Sequence, residues 1–545
     1  MQKIRRFWYL FVVPLVVIGL FGGISISGDN AYQQLRKLEE AYSYITKKYV
    51  DPVDSAILVE DAIAGMLKEL DPHSIYISAE EMKRVRENFN ASFEGIGIYF
   101  EIVEDTIVVL MPITGGPSEK VGLQAGDRII AIDDSSAIGF TNEDVQKHLK
   151  GPKGTKVKVT VIRHGFREPM EFVITRDRIP IYTVDAAYMV DDETGYIKIN
   201  RFARTTYAEF VEAVTRLKAQ GMDRLILDLR DNPGGYMEMA IRISDEFLPE
   251  GAKIVYTKSR HPEMSQEFLA TGGGLLEKEP VIVLVNERSA SASEIVSGAL
   301  QDHDRALIVG RHTFGKGLVQ QQFPLSDGSV LQMTISRYYT PSGRLIQTPY
   351  RGGDREDYFK KKNELFEKLN RWVVVDIQEM LKHVPDSLKF RTDHGRVVIG
   401  GGGIWPDYIV PRDTLSRVAQ VVIQRNLDDM FSRWWLDHEG VSLKEQWTPE
   451  KFVKEFEVSD DMLQAFWRFA ERHGVTIVDT PLEDALDEEQ LRQVFASLEL
   501  DDAAWPAFRQ FVAAHRKQAE DATDGIVLHR EDIEKDKDVV ATRIK

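Results

Sequence analysis

Two short runs, "RLILDLR" at 224–230 and "PVIVLVN" at 280–286, constrain the fold of this chain more than any other feature. Each is almost continuously apolar, and each is too short for a buried helix. Both therefore read as strands covered on both faces, the pattern of a largely parallel sheet packed between helices. The strand "GYIKINRF" (195–202) and the helical stretch "TTYAEFVEAVTRLKAQG" (205–221) precede them, with Thr206 and Glu209 spaced as a capping box and Gly221 as the stop. A helical pattern follows each run, so the expectation is an α/β core over 179–411, with a charged helical insertion at about 352–392 and a glycine-rich return, "RVVIGGGGIWPDYIV" (396–410).

Around this core the periodicity changes. Apolar residues recur at helical spacing from Tyr32 to about Asn88, which predicts an N-terminal helical region over 29–90, broken by the turn "LDPHS" (70–74). Short β-branched runs separated by Gly and Asp predict a small β domain over 91–178. Beyond Pro411, "DDMLQAFWRFAERHG" (460–474) and "DEEQLRQVFASLEL" (487–500) predict a helical C-terminal domain over 412–545, ending in a frayed, charged tail.

Several function classes are excluded at this level. A formal net charge of −17 argues against nucleic acid as a partner, because phosphate binding needs clustered Lys and Arg. Without cysteine there is no disulfide, thiol nucleophile or thiolate metal ligand. His261, Glu263 and Glu267 are too scattered to suggest a metal site, and no cofactor is implied. Lys3, Arg5 and Arg6 precede an uncharged stretch from Phe7 to Gly28 of nearly bilayer-spanning length. Segment 1–28 is therefore expected to be a signal anchor or signal peptide, preferably an uncleaved anchor through residues 7–28 in the inner membrane, with the rest of the chain exported to the periplasm or cell envelope.

The candidate chemistry lies in "VNERSASASEIVSGAL" (285–300), which sets Ser289, Ser291 and Ser293 on alternate positions. Ser291 and Glu294 have capping-box spacing, which would make Ser291 an N-cap and would also put its oxygen where helix N–H groups favour negative charge. A serine nucleophile needs a base. His303 and His312 offer one reading; Lys316, between two glycines with Phe314, Leu318 and Val319 nearby and no neighbouring carboxylate, offers another. Holding a lysine neutral at pH 7 takes about 4.6 kcal/mol, within what burial supplies.

Two resemblances narrow these alternatives. "FEGIGIYF" (93–100), followed by Gly122-Leu123 and Gly126-Asp127-Arg128-Ile129, resembles a PDZ domain; this implies a carboxylate-binding loop at Gly95, Ile96, Gly97 and Ile98, with Ile96 and Ile98 favouring an apolar ligand terminus. "SASASEIVSGALQD" and "GRHTFGKGLVQ", together with "LDPHSIYIS", "LILDLRDNPGG" and "GGGGIWPDYIV", resemble the carboxyl-terminal processing (tail-specific) proteases in family order from about 35 to 411. This implies a crotonase- or ClpP-like core, Ser291 as nucleophile, Lys316 as base and Gln320 as the residue that orients it. It also implies an oxyanion hole from Ala292 with Gly234 or Gly235, and Asp302 at a position some members use. In a straight strand Lys316 and Gln320 would stand about 13 Å apart, so a turn at Gly317 is expected. The expected partners are protein or peptide substrates with apolar C-terminal tails, the membrane through the N-terminal segment, and a second copy of the chain. A PDZ scaffold that binds tails without cutting them is the alternative.

Overall fold

The computed structural model describes residues 25–350, 355–370, 381–411 apart from 383, 415–438, 455–479 and 526–545, with a few isolated positions between them. The chain forms two compact units, Met1–Ala91 with Ile181–Pro411, and Ser92–Pro180 with Arg412–Lys545. Most of the apolar N-terminal segment lies outside the described residues. Among the described residues no helix is long and apolar enough to cross a membrane.

The first unit begins with α1 (Ser25–Lys48) and α2 (Ser55–Lys68), the latter capped by Asp54, which accepts from Ala56 N at 2.8 Å. "LDPHS" is a turn, as expected, but it feeds a strand, β1 (Ile75–Ile77), before α3 (Ala79–Asn90). The core then runs β2 (Val184–Met189), β3 (Thr194–Ile199), α4 (Thr206–Ala219), β4 (Arg224–Asp228), α5 (Met237–Asp245), β5 (Lys253–Lys258), β6 (Glu267–Leu269), β7 (Val281–Val285), α6 (Ala292–Asp302), β8 (Leu307–Gly310), β9 (Leu318–Pro324), β10 (Val330–Tyr339), α7 (Arg355–Asn370) and β11 (Tyr408–Ile409). The main sheet has the order β2-β3-β4-β7-β8-β11, parallel except for β2 against β3. A second, antiparallel sheet joins β1, β10, β5 and β6, with β9 also on β10.

Two sequence expectations need correction. Among the described residues only one face of the main sheet is closed: Leu225, Leu227, Val283 and Ile308 are buried with Phe210, Ile243 and Val296 from α4, α5 and α6. On the other face Tyr188, Tyr196, Ile226, Ile282 and Leu307 fall in one cross-strand row and stay half-exposed or exposed, because strand sequence shows apolarity but not which face a helix will cover. The cap of α4 is Thr205, not Thr206. Thr205 Oγ1 donates to Glu209 Oε1 at 2.6 Å, while Thr206 Oγ1 accepts from Ala203 N at 2.8 Å. Gly221, with φ of +103°, follows the helix end as expected.

In the second unit, strands Ile98–Val103, Thr106–Pro112, Arg128–Ile132, Lys156–Ile162 and Met170–Thr175 form an antiparallel sheet in that order around Ile107, Ile129, Val145 and Val159. Ile98–Val103 is an edge strand. The C-terminal part packs helices Arg417–Gln424, Leu427–His438 and Asp460–Arg472 around Phe431, Phe466 and Phe469. Its end is not frayed. Ile526–His529 pairs in parallel with Val475–Val478, and two short helices follow, because Leu528, Ile533, Val540 and Ile544 supply the apolar face that a charged composition concealed. The expected helix at 487–500 lies almost entirely outside the described residues.

Candidate active site

The turn from β7 into α6 separates the three serines. Ser289 and Ser293 are fully buried, and their hydroxyls donate to the carbonyls of Leu229 (2.7 Å) and Asn232 (3.0 Å), tying this turn to the loop after β4. Ser291 between them is only partly buried, and it sits at φ +54°, ψ −109°. Such a backbone costs a non-glycine residue roughly 1–3 kcal/mol and persists only where its surroundings impose it.

Two buried side chains impose it. Glu294 accepts from Ser291 N at 2.8 Å and Lys316 N at 2.9 Å through Oε2, and from Thr313 Oγ1 and Gly315 N, both at 2.6 Å, through Oε1. Burial raises its pKa, while four donors aimed at its two oxygens favour the carboxylate. The fully buried Tyr338 places its hydroxyl against the carbonyl of Ser291 at 3.1 Å and also against that of Lys316. The peptide groups of both residues are thus fastened on either side. Sequence reasoning saw Glu294 only as a cap and missed Tyr338, whose partners lie 47 and 22 positions away.

Lys316 Nζ donates to Gln320 Oε1 at 2.8 Å. Contact is achieved by Gly315, at φ +83°, and a bulge between Val319 and Gln320, rather than by the expected turn at Gly317. Gln320 is fixed in turn: its Nε2 donates to the carbonyl of His73, and its Oε1 also accepts from Gln332 Nε2 at 3.1 Å. His73 arrives through the pairing of β1 with β10, and Asp71 rigidifies its turn by accepting from His73 N (2.8 Å), Ser74 N (2.9 Å) and Ser74 Oγ (2.6 Å). Burial pushes the Lys316 amine below the ordinary lysine range, opposed by the Asp71 and Glu294 carboxylates. The expectation of no neighbouring carboxylate therefore fails, since both are remote in sequence or hidden in the cap.

The glycine loop after β4 lies directly against the serine. A Cβ on Gly234 (φ +95°) would stand 2.8 Å from Ser291 Cβ and 2.9 Å from Ala292 N, and one on Gly235 would stand 2.1 Å from the Phe202 carbonyl oxygen. Gly234 N already donates to Asn232 Oδ1 at 2.9 Å, whereas the N–H groups of Gly235 and Ala292 have no acceptor among the described residues. Gly234 thus supplies the close approach, leaving the donors to its neighbour and to Ala292. Gly234→Ala is expected to reduce kcat by at least 100-fold while the protein stays folded, checked by steady-state kinetics beside a thermal melt.

The other sequence candidates have separate duties. Asp302 forms a fully buried ion pair with Arg344 and accepts from Ser342 N at 2.9 Å, a bond network between α6 and the segment after β10. His303 uses both ring nitrogens on Asp393 (2.6 Å) and the Lys253 carbonyl (2.7 Å). His312 packs on Trp405 with ring centroids 4.4 Å apart, and burial lowers its pKa to about 3. In the second unit, the N–H groups of Ile96 and Gly97 have no acceptor among the described residues, beside the edge of Ile98–Val103 that pairs with no described strand. The Ile96 side chain is buried in the domain core rather than facing a ligand, so Ile98 is the apolar residue left at this edge.

Comparison with known proteins gives four matches along the chain: the activating protease CtpB N-terminal domain over 25–81, the PDZ domain over 85–162, peptidase family S41 over 193–353 and a family of unknown function over 419–498. The chain is 40% identical over 323 residues to the carboxy-terminal-processing protease of Bartonella bacilliformis, covering 58% of this chain and 74% of that protein. It is 37% identical over 354 residues to the carboxy-terminal processing protease CtpA of Bacillus subtilis, covering 63% and 75%. Among solved structures, the photosystem II D1 C-terminal processing protease is 31% identical over 57% of this chain and 83% of that one, with a TM-score of 0.34.

Proposed function

Because the chain belongs to the carboxy-terminal-processing proteases, serine peptidases with a PDZ domain, we propose that it cleaves exported proteins near apolar C-terminal tails through an acyl-enzyme on Ser291 with Lys316 as base. The observation that carries this reading is the division among the serines: two are consumed by buried hydrogen bonds, and the third is held in a strained turn by the same carboxylate and phenol that hold Lys316. In the first step the neutral Lys316 amine takes the Ser291 hydroxyl proton as Oγ bonds to the scissile carbonyl carbon. The resulting oxyanion is stabilised by the N–H groups of Ala292 and Gly235. Collapse breaks the C–N bond, and the Lys316 ammonium returns the proton to the leaving amine. Water then repeats the sequence on the ester, Lys316 taking its proton and giving it back to Ser291.

Gln320 orients the amine by accepting one of its hydrogens, which leaves the lone pair for serine. The PDZ domain reads the tail: the free N–H groups of Ile96 and Gly97 receive the terminal carboxylate, and the edge strand pairs with the peptide. The N-terminal apolar segment anchors the enzyme in the inner membrane with its catalytic parts in the envelope.

The test uses one peptide with an apolar end, supplied as free acid and as amide. Wild type should cut the acid with kcat/KM about 10- to 100-fold above the amide, the loss expected when charge-assisted bonds to a carboxylate disappear. Ser291→Ala should bind the acid as wild type does and cut neither. Binding without cleavage in the wild type would instead make the chain a tail-binding scaffold.

A further inference from the structure

The charged insertion contributes a second buried lysine that the mechanism above leaves unused. Lys362, on α7, is 3% exposed. Its Nζ stands 3.4 Å from the ring centroid of Phe314, two residues before the base, and 3.1 Å from the Tyr358 hydroxyl. Tyr358 Oη also accepts from Gln347 Nε2 at 3.3 Å, and Gln347 Oε1 accepts from Gly317 N at 2.9 Å, on the other side of the base. The His73 ring closes this box edge-on to Phe314, Tyr358 and Phe359, at 6.4, 5.5 and 6.1 Å. A lysine on the insertion helix is therefore built into the segment Phe314–Gly317 from both ends.

We infer that Lys362 is a positioning residue for the base: through Phe314 and the Tyr358–Gln347 bridge it clamps the segment that carries Lys316 and brings a second titratable amine into the same buried cluster. This rests on the assignment of Lys316 as the base. Like charges at close range resist joint protonation, so a paired lysine loses its proton at lower pH than it would alone. In support, burial lowers the pKa of Lys362 to about 7; Glu294 opposes it, and Lys316 adds a smaller lowering.

Charged groups of both signs face the pair. Asp71 and Glu294 supply negative charge, but Arg355 on α7 adds positive charge. His73 and His312, both lowered to about 3, are neutral near pH 7, as are Tyr358, raised to about 12, and Tyr338, raised well above the ordinary tyrosine value by burial. The insertion helix thus acts on the base through the charge and packing around it.

The experiment measures the rate at which a fluorophosphonate labels Ser291 in the full-length protein between pH 5 and 10.5, followed by intact mass, for wild type, Lys362→Met, Lys362→Gln and Lys362→Arg. Lys362→Met is expected to move the acid limb upward by about half to one pH unit, to slow labelling at pH 7 by about 3- to 10-fold, and to converge on wild type above pH 10. Lys362→Gln, which removes the charge with less loss of polarity, gives the same readout if the methionine variant unfolds. Lys362→Arg should restore the wild-type limb. An unchanged profile in a folded neutral variant, or an equal loss at every pH, would overturn the proposal. Lys316→Ala is the control: if it labels as fast as wild type, the base assignment itself fails, whatever Lys362 does.

Discussion

Lys316→Met is expected to abolish peptide hydrolysis, with kcat falling by roughly 10³–10⁵-fold, and at the same time to raise the melting temperature at pH 7. The activity loss follows from removing the group proposed to take the serine proton. The stability gain follows from linkage. An unfolded lysine titrates at about 10.4, and burial places the folded value lower. Between the two values the unfolded chain binds more protons, so stability rises with pH across that window and the folded protein is penalised below it. Methionine keeps the aliphatic bulk and has no proton to bind. The variant should therefore be more stable near neutrality, with the difference vanishing above about pH 10.5. Calorimetric melts at pH 7 and 10.5, beside kinetics on one peptide, check both halves; a melting temperature that falls at pH 7 would refute the burial argument. In the wild type, cleavage should rise with pH as the amine deprotonates.

Glu294→Gln should be the most damaging isosteric change in the core, costing roughly 3–5 kcal/mol of stability along with nearly all activity. Each carboxylate oxygen takes two donors, so an amide must turn an NH₂ group towards two donors wherever it points. The Ser291 turn would then lose the partner that offsets its strained backbone, and the Lys316 turn would be released with it. Denaturant melts measure the first effect, and fluorophosphonate labelling of the fraction that still folds measures the second. Glu294→Gln with wild-type labelling would show that Tyr338 alone suffices to hold the two residues.

Legibility in the sequence followed the range of the interactions. Strands β4 and β7 could be read because their apolar runs are local, and so could the helix after Ser291, whose cap lies within four residues. The insertion could be read as helical and charged, but Lys362 within it looks like any solvated lysine, because an aromatic box made from Phe314, Tyr358 and His73 has no local signature. The same holds for the end of the chain, where the apolar positions among the charges matter only once Val475–Val478 is there to pair with. Gly234 and Gly235 were legible as a glycine loop. Which of the two keeps a free N–H depended on the Asn232 side chain folding back.

By itself, the sequence determined the order of the modules, the α/β character of the core and the residues able to do acyl chemistry, since each depends on periodicity, spacing or side-chain type within a short stretch. Only the tertiary structure decided which serine remains available, how a lysine and a serine 25 positions apart come to share Glu294 and Tyr338, and which carboxylates oppose the lysine's loss of charge. Those are questions of burial and of contacts between distant segments, and the desolvation that tunes an amine exists only after the chain has closed around it.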